Sequence, residues 1–324
     1  MKKLSICIPT YNRLDKLKRQ VSFLINETEK YKDEIEIIIS DNASSDGTEK
    51  YLDEIKNDFS HIIINRNTDN YGLIENFRIS ASLSSGDYIW MLSDDDYLQE
   101  GIIDSVMDVL SKYDVAHIFI NYTVIKKGQI SSQKAYCGKG GLFDEGFEMF
   151  KTISAASTLG ALMFISANIY KKQYVSEATQ ILKIRGEDNN LALPLGWAVY
   201  SSSGKGYVID EQLIYDDCDN ISWSNSRLKV FARDTIAVCD VIAKEMNIEN
   251  KFDKILLTDI QTNFPEIRFL LFNRNSDIDN YAMKWYWRRH KLRLICDFII
   301  FPFYILTRIF EKCIKKLKGD NGSA

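Results

Sequence analysis

The sequence has few of the nitrogen and sulfur ligands that build metal sites and disulfide frameworks. Only three of its 324 residues are His, and its six Cys are scattered without a CxxC pair. Zinc sites and disulfide frameworks usually show paired cysteines, so neither is indicated here. His61 and His117 lie in strand-like runs, where we expect structural roles rather than catalytic ones.

A basic charge balance and long apolar runs are also missing. The net charge is −4, so the chain lacks the signature of a nucleic-acid-binding protein. The longest uncharged run in the basic C-terminal segment is Phe298–Thr307, ten residues, whereas a transmembrane helix needs about 20. No secretory signal is apparent at Met1-Lys2-Lys3. We therefore expect a cytoplasmic protein with reduced cysteines.

What the sequence does contain is an alternation of apolar runs with polar loops and helical patterns. Four apolar runs, at 4–8, 35–39, 62–64 and 87–92, have the composition of buried strands. Their alternation with helices predicts an α/β fold, in which a mostly parallel central sheet is flanked by helices. Ligands bind such sheets at the carboxyl ends of the strands.

The rest of the chain gives weaker signals. We predict a helix start at Ser166–Asn168, short strands at 207–209 and 213–215, and a helical pattern from Ser226 onward. These features divide the chain into an α/β part and a helical C-terminal region. The predicted bounds are 1–222, divided near residue 112, and then 223–324.

Three consecutive carboxylates, Asp94–Asp96, follow the fourth predicted strand. Adjacent carboxylates repel one another, and a divalent cation would remove the cost of ionising them. Oxygen ligands select Mg²⁺ or Mn²⁺, which usually also bind substrate phosphates. The stretch therefore indicates a metal–diphosphate site, with a polar turn that caps the next helix as the alternative.

Four loops at the predicted strand ends, taken together, resemble the family 2 glycosyltransferases of the GT-A fold. They occur in the order expected for that family, within residues 1–100, and a Glu-Asp pair follows at 187–188. The four loops are 9–13, 40–48, 70–72 with Asn76, and 93–96.

The resemblance implies that 1–222 is the catalytic domain, with a nucleotide-binding half of about 1–112 and an acceptor half of about 113–222. It also implies a pocket for a nucleotide-diphospho sugar, with a UDP-sugar favoured. In this family Asp41 would reach the base, and the ring of Tyr11 can stack on it. The residues implied for the pocket are Pro9, Thr10, Tyr11, Arg13, Asp41, Asn70, Gly72, Asp94 and Asp95.

The resemblance also implies Mn²⁺ or Mg²⁺ as cofactor. The family normally carries Asp-x-Asp-Asp after the fourth strand, and here Ser93 stands in the first acidic place. Asp95 then corresponds to the main metal ligand, and Asp94 is close enough in sequence to replace the missing acid.

Glu187 and Asp188 resemble the pair that supplies the family's catalytic base. An acceptor hydroxyl is a weak nucleophile, so a carboxylate must take its proton as the new bond forms. One base and no enzyme nucleophile imply a single displacement with inversion at the anomeric carbon. The alternative is an exposed helix start, where acidic residues favour the helix dipole.

The C-terminal segment 284–318 is basic and aromatic, with ten Lys or Arg against two acidic residues. Trp and Tyr beside Lys and Arg fit a helix that lies in a membrane interface. We therefore predict a peripheral protein on the inner face of the plasma membrane. An amphipathic helix packed on the catalytic domain, or a dimer contact, is the alternative.

The sequence thus predicts an inverting, metal-dependent glycosyltransferase. The resemblance implies a lipid-linked or polymeric glycan acceptor in bacterial cell-surface polysaccharide synthesis. Two alternatives remain open: a Mg²⁺-dependent phosphotransferase or nucleotidyltransferase, and a non-catalytic nucleotide-binding membrane subunit. Ser93 in the metal motif keeps the second one open.

Overall fold

We describe the fold from a computed structural model of the chain. The structure describes residues 2–56, 58–126, 128–130, 134–217, 229–253 and 255–256, together with Trp285 and Arg288.

The first part of the chain forms parallel strands joined by helices, as the alternation predicts. The strands run in the order β3-β2-β1-β4 across the sheet, and each neighbouring pair is parallel. These strands are β1 (Leu4–Thr10), β2 (Ile35–Asp41), β3 (Ile62–Arg66) and β4 (Tyr88–Met91). The connecting helices are α1 (Leu14–Thr28), α2 (Thr48–Ile55) and α3 (Leu73–Leu83).

Beyond β4 the same sheet continues as a mixed one, in the order β4-β9-β6-β10-β5. The strands here are β5 (Tyr97–Leu98), β6 (His117–Lys126), β7 (Gln129–Ile130), β8 (Gly141–Phe143), β9 (Asn168–Lys171) and β10 (Gly206–Asp217). The helices are α4 (Ile102–Lys112), α5 (Gly146–Met163), α6 (Lys172–Ile184), α7 (Leu193–Ser201) and α8 (Thr235–Glu245). The architecture is the predicted α/β sheet flanked by helices.

Strand β9 differs from the sequence-based prediction, which has a helix start at this place. It runs antiparallel between β4 and β6, and a helical turn, Ile165–Ala167, precedes it. The side chain of Asn168 donates to the carbonyls of Ala161 and Phe164 and contacts the ring of His117. These buried partners determine the conformation, which local sequence alone does not encode. The two short strands predicted near 207–215 also join into the single strand β10, with an irregularity between Ile209 and Ile214.

The core explains why these segments form strands. Every residue of β1 and of β2 is buried, as expected for central strands covered on both faces. Helix α1 buries Leu17, Val21 and Leu24 on one side, which matches its helical spacing.

The C-terminal helical region packs on the catalytic part. Helix α8 contacts α6 and α7 and buries Ile236, Cys239 and Ile242. Trp285 is 4% exposed and belongs to the same hydrophobic core. The domain boundary at 222 stays a prediction, since 218–228 lie outside the described residues. No described helix is both long and apolar enough to cross a bilayer.

Candidate active site at the carboxyl ends of the strands

The carboxyl ends of β1, β2 and β4 meet at one edge of the sheet. Thr10 at the end of β1 is paired with Asp41 at the end of β2, and Pro9 with Ser40. The backbone N–H of Asn42 donates to Thr10 O at 2.9 Å. Pro9 is buried in the strand, whereas Tyr11, just beyond it, is 43% exposed. The loops singled out from the sequence therefore start from one edge.

Arg13 joins β1 to the acidic loop, which comprises Ser93–Asp96 after β4. Its Nη1 lies 2.8 Å from Asp94 Oδ1 and 2.9 Å from Asp95 Oδ2. Thr10 Oγ1 donates to Asp94 Oδ2 at 2.7 Å. Lys16, on the first turn of α1, adds a second cation 3.3 Å from Asp95 Oδ2. The structure thus brings together Thr10, Arg13, Asp94 and Asp95 as predicted. Sequence reasoning missed Lys16, which lies three residues after Arg13 in the first turn of α1.

The two carboxyl groups have opposite pKa shifts. Burial raises the pKa of Asp94, and the neighbouring guanidinium of Arg13 only partly offsets it. Burial would also raise the pKa of Asp95, but the Ser93 hydroxyl, Arg13 and Lys16 outweigh it and lower that pKa. Asp95 is therefore the carboxylate held in the charged form that a cation ligand requires.

Asp96 and Arg19 anchor the acidic loop on its other side. Ser166 Oγ donates to the carboxylate of Asp96 and accepts the backbone N–H of Ser93 at 3.0 Å. Arg19 Nη2 donates to the carbonyls of Asp95 and Asp96 at 2.7 and 3.1 Å, and its guanidinium lies 3.7 Å from the ring centroid of Tyr97. These contacts hold the acidic loop against α1 and against the turn before β9.

Asp41, the predicted base-binding residue, is fully buried. Arg66 Nη1 donates to its Oδ2 at 3.0 Å, and the backbone N–H of Ser44 donates to its Oδ1 at 3.1 Å. Arg66 also donates to the carbonyl of Ser44 at 3.1 Å and contacts Glu49. Sequence reasoning missed Arg66, which is the last residue of β3 and is paired with Asp41 in the parallel register.

Buried amides hold the 70–72 loop. Asn42 donates to Asn70 Oδ1 at 2.7 Å and to the carbonyl of Gly72 at 3.3 Å, and accepts a bond from Asn67 at 2.9 Å. Gly72 has φ 86° and ψ 168°, a conformation essentially confined to glycine. The predicted residues Asn70 and Gly72 are thus tied to the end of β2.

Asp46 holds the starts of two helices. Its carboxylate accepts the backbone N–H of Leu14 at 2.9 Å and of Thr48 at 3.2 Å. Burial would raise the pKa of Asp46, but these hydrogen bonds and the Thr48 hydroxyl lower it. The same carboxylate thus contacts the first residues of α1 and α2.

Glu187 and Asp188 have different partners. Asp188 Oδ2 lies 3.1 Å from Arg78 Nη1 on α3, and its side chain is 18% exposed. Glu187 is bound by Arg233, with Nη1–Oε2 at 2.6 Å and Nη2–Oε1 at 2.9 Å. Neither Arg78 nor Arg233 was among the predicted site residues.

The two histidines of the described part lie away from these groups. His61 contacts the Thr28 hydroxyl, and His117 contacts Asn168. Both are buried, and burial lowers the pKa of His117 to about 4. These contacts fit the structural roles expected of them.

The acidic loop offers oxygen donors to a metal. Among the described residues no group of three or more His, Cys, Asp or Glu side chains is arranged to hold an ion. Asp94 and Asp95 nevertheless supply the hard oxygen donors that Mg²⁺ or Mn²⁺ prefers, and such ions need only one or two carboxylates plus phosphate and water. Their chemistry suits such an ion, and in this structure their oxygens contact Arg13, Lys16, Thr10 and Ser93.

Comparison with known proteins identifies several bacterial relatives. The chain is 48% identical over 96 residues to the abequosyltransferase RfbV of Salmonella typhimurium, a match that covers 29% of this chain and 28% of RfbV. It is 33% identical over 142 residues to the GalNAc(5)-diNAcBac-PP-undecaprenol beta-1,3-glucosyltransferase of Campylobacter jejuni, covering 43% and 44%. The matched stretches span less than half the length of each relative.

Solved structures share the fold at low sequence identity. The S. aureus TarS 1–349 structure superposes with a TM-score of 0.56 at 16% identity and covers 92% of this chain and 80% of that one. The mannosyltransferase PcManGT from Pyrobaculum calidifontis, solved with GDP-Man and Mn²⁺, gives 0.53 at 12% identity, covering 92% and 86%. The sequence model described as Glycosyl transferase family 2 matches residues 5–172, just over half of the chain. The strand-end motifs, the fold and this match together show that the chain belongs to glycosyltransferase family 2.

Proposed function

We propose that this protein is an inverting glycosyltransferase that moves a sugar from a nucleotide-diphospho sugar to a lipid-linked or polymeric glycan acceptor. The observation that carries the proposal is a cluster at the strand ends. Arg13, just after β1, contacts both Asp94 and Asp95, which follow β4. A site that combines carboxylates with cations suits a diphosphate and its metal ion.

The donor would lie across the strand ends. Arg13 and Lys16 are placed to neutralise a diphosphate, and the exposed ring of Tyr11 offers a surface on which a base can stack. Asp41 would meet the base, held in place by Arg66. TarS has also been solved in complex with UDP-GlcNAc, which favours UDP-sugars as the first donors to test.

Asp95 and Asp94 would hold the divalent cation. When bound, the ion would neutralise charge on the leaving diphosphate. Lys16 and Arg13 already contact these carboxylates, so they would lie beside the same phosphates. The positive side chains of the chain itself would therefore share in stabilising the leaving group.

Asp188 is the residue that we propose as general base. The acceptor oxygen attacks the anomeric carbon, its proton passes to a carboxylate oxygen of Asp188, and the bond to the diphosphate breaks with its electron pair on the phosphate oxygen. Both oxygens of Glu187 already accept hydrogen bonds from Arg233. Among the contacts described, Asp188 is bound through Oδ2, 3.1 Å from Arg78 Nη1, so its Oδ1 is better placed than either oxygen of Glu187 to accept a proton.

The acceptor class is proposed from the relatives. One is named for an undecaprenol-linked substrate, and another, TarP of Staphylococcus aureus, 30% identical over 141 residues, for poly(ribitol-phosphate). Both names describe lipid-linked or polymeric acceptors of the bacterial envelope. We propose the same class here, in cell-surface polysaccharide synthesis, with the protein peripheral on the inner face of the plasma membrane.

A donor screen tests this proposal. The purified full chain would be heated with UDP-, GDP- and CDP-sugars, each with and without Mn²⁺, because a ligand that binds only the native state raises its melting temperature. Donors that stabilise the protein would then be tested for sugar release and for transfer to undecaprenol-linked glycans. We expect stabilisation by one nucleotide class, with a larger effect when Mn²⁺ is present. If no nucleotide sugar changes the melting temperature or is turned over, the proposal fails.

A further inference from the structure

The pair formed by Glu187 and Arg233 joins two parts of the chain that lie 46 residues apart. The two terminal guanidinium nitrogens of Arg233, Nη1 and Nη2, donate to Glu187. Asn190 Nδ2 also donates to Glu187 Oε2 at 3.1 Å. The side chain of Glu187 is 11% exposed. A bidentate Arg–carboxylate pair fixes orientation as well as charge. Glu187 is therefore held rigidly, and its oxygens are already in use.

The backbone around Glu187 is fixed at both ends. Gly186, with φ 71°, ends helix α6, and the N–H of Glu187 returns to the carbonyl of Leu182 at 2.8 Å. Asn190 Oδ1 accepts the N–H of Ala192 at 2.9 Å, just before α7. Asp188 lies between these two anchors, and its own carboxylate contacts Arg78 Nη1 at 3.1 Å. Its position therefore depends on how Glu187 and Asn190 are held as well as on Arg78.

Arg233 is itself held in an unusual turn. It lies in the π-helical turn Val230–Asp234, which precedes α8 directly. Such turns are rare and are frequent at functional sites. The carboxylate of Asp234, buried beside it, lies 3.3 Å from Arg233 Nη1. One guanidinium thus lies between two carboxylates, and the C-terminal helical region is joined to the loop that carries Asp188.

We propose that Arg233 is a positioning residue for the transfer reaction, acting through Glu187 to hold Asp188 where it takes the acceptor proton. The inference rests on the proposed function, in which Asp188 is the base. The inference makes the region after residue 222 part of the active site. That region supplies Arg233, on which the position of the loop with Glu187 and Asp188 depends. Donor binding, which uses the ends of β1, β2 and β4, should not depend on this pair.

Four variants of the full chain test the proposal: Arg233→Lys, Arg233→Gln, Glu187→Gln and the double variant Glu187→Gln/Arg233→Gln. A displacement of about 1 Å at a catalytic group can cost roughly 10²-fold in rate, so we expect kcat to fall by about that factor. The affinity for UDP should stay within about twofold of the wild type. Because the pair acts as a unit, the double variant should lose no more than either single one.

Arg185→Gln is the matched control. Arg185 also connects the end of α6 to the C-terminal region, 3.5 Å from Glu245, but both side chains are exposed, at 60% and 49%. Removing this surface pair should leave kcat unchanged. If Arg185→Gln lowers kcat as much as Arg233→Gln does, the effect is a general loosening of the two segments and the positioning role is wrong.

Recovery of kcat on adding guanidinium is a readout that a loss of folding stability alone would not produce. The side chain of Arg233 is 26% exposed, which leaves a path for a small cation. Guanidinium at low concentration should restore part of kcat to Arg233→Ala, and equal NaCl or urea should not. Wild-type kcat in Arg233→Gln, or in the double variant that removes both charges of the pair, would overturn the inference. A fully active Asp188→Asn would refute the proposed function. An inactive Asp188→Asn together with a wild-type kcat in Arg233→Gln would refute only the inference about Arg233.

Discussion

Arg66 Nη1 lies 3.0 Å from Asp41 Oδ2, on the side of the site where we propose that the nucleotide binds. Asp41 is fully buried, and Arg66 reaches it from the neighbouring strand at the same level of the sheet. A buried carboxylate that loses its partner is costly, while replacing both partners costs less.

The first prediction concerns this contact. Arg66→Met should lower the free energy of unfolding by about 1–3 kcal/mol, because Asp41 stays buried without its cation. The variant should also weaken UDP binding, because the loop after β2 loses the hydrogen bond that Arg66 donates to the carbonyl of Ser44. Urea unfolding and calorimetric titration measure the two effects. The double variant Asp41→Asn/Arg66→Met should recover part of the stability but not the affinity; if it recovers none, the contact is not what stabilises the loop.

The second prediction concerns the metal. Asp95→Asn removes a charged ligand and little volume, so transfer should be lost while the chain still folds. Ser93→Asp restores the acid that the family pattern carries here, and it should be tolerated and tighten Mn²⁺ binding. Mn²⁺ binding is followed by electron paramagnetic resonance and transfer by product formation. Normal turnover of Asp95→Asn with a chelator present would rule out the assignment.

The third prediction separates the two acids of the base loop. Asp188→Asn should lower kcat by about 10²–10⁴-fold with donor affinity unchanged, because the base acts on the acceptor. Glu187→Asp keeps the charge but shortens the side chain that binds Arg233, so kcat should fall less. The measurement is kcat and donor affinity for both variants. An active Asp188→Asn beside an inactive Glu187→Gln would transfer the role of base to Glu187.

The fourth prediction is a pH dependence at the opposite end of the sheet. Glu36 is buried and accepts hydrogen bonds from Ser5, from the N–H and hydroxyl of Ser85 and from Gly86. Burial would raise the pKa of Glu36, but these bonds prevail and lower it from 4.5. Its contribution is thus present above pH 4.5 and is lost as the pH falls through the lowered folded-state pKa.

Glu36→Gln tests this contribution. At pH 7 it should lower the free energy of unfolding by about 1–3 kcal/mol, because an amide cannot accept all of these bonds. The difference from the wild type should shrink as the pH falls below 4.5. Glu29→Gln is the control, an exposed acid paired only with Lys32 among the contacts described. A difference between wild type and Glu36→Gln that is constant with pH would contradict the interpretation.

The site residues at the strand ends could be predicted from sequence, because each lies within a few residues of the strand that positions it. Carboxylates directly after a strand, and Arg13 directly after β1, share an edge in any parallel α/β sheet. Arg66 and Arg233 could not, because their acidic partners lie 25 and 46 residues away and nothing in their own segments marks the contact. Strand β9 was missed for a similar reason: a four-residue run becomes a strand only because β4 and β6 lie on either side of it.

The last prediction concerns the basic C-terminal segment, whose membrane role stays a prediction. Trp285 packs in the core, so truncation before it would disturb the fold, and charge variants are the better test. Each basic residue near an anionic surface contributes about 1 kcal/mol. A variant with Gln at Lys312, Lys315, Lys316 and Lys318 should therefore bind anionic liposomes roughly a thousandfold more weakly at low salt.

Its matched control carries Gln at four exposed lysines elsewhere, Lys30, Lys32, Lys112 and Lys205, and so has the same net charge. Flotation with anionic and with neutral vesicles, at low and high salt, compares the two. We expect the control to float like the wild type and the tail variant to stay with the soluble protein, and high salt should reduce the difference because it screens the attraction. Equal flotation of the two variants would show that net charge alone governs adsorption, and the tail would then be a packing or dimerisation element.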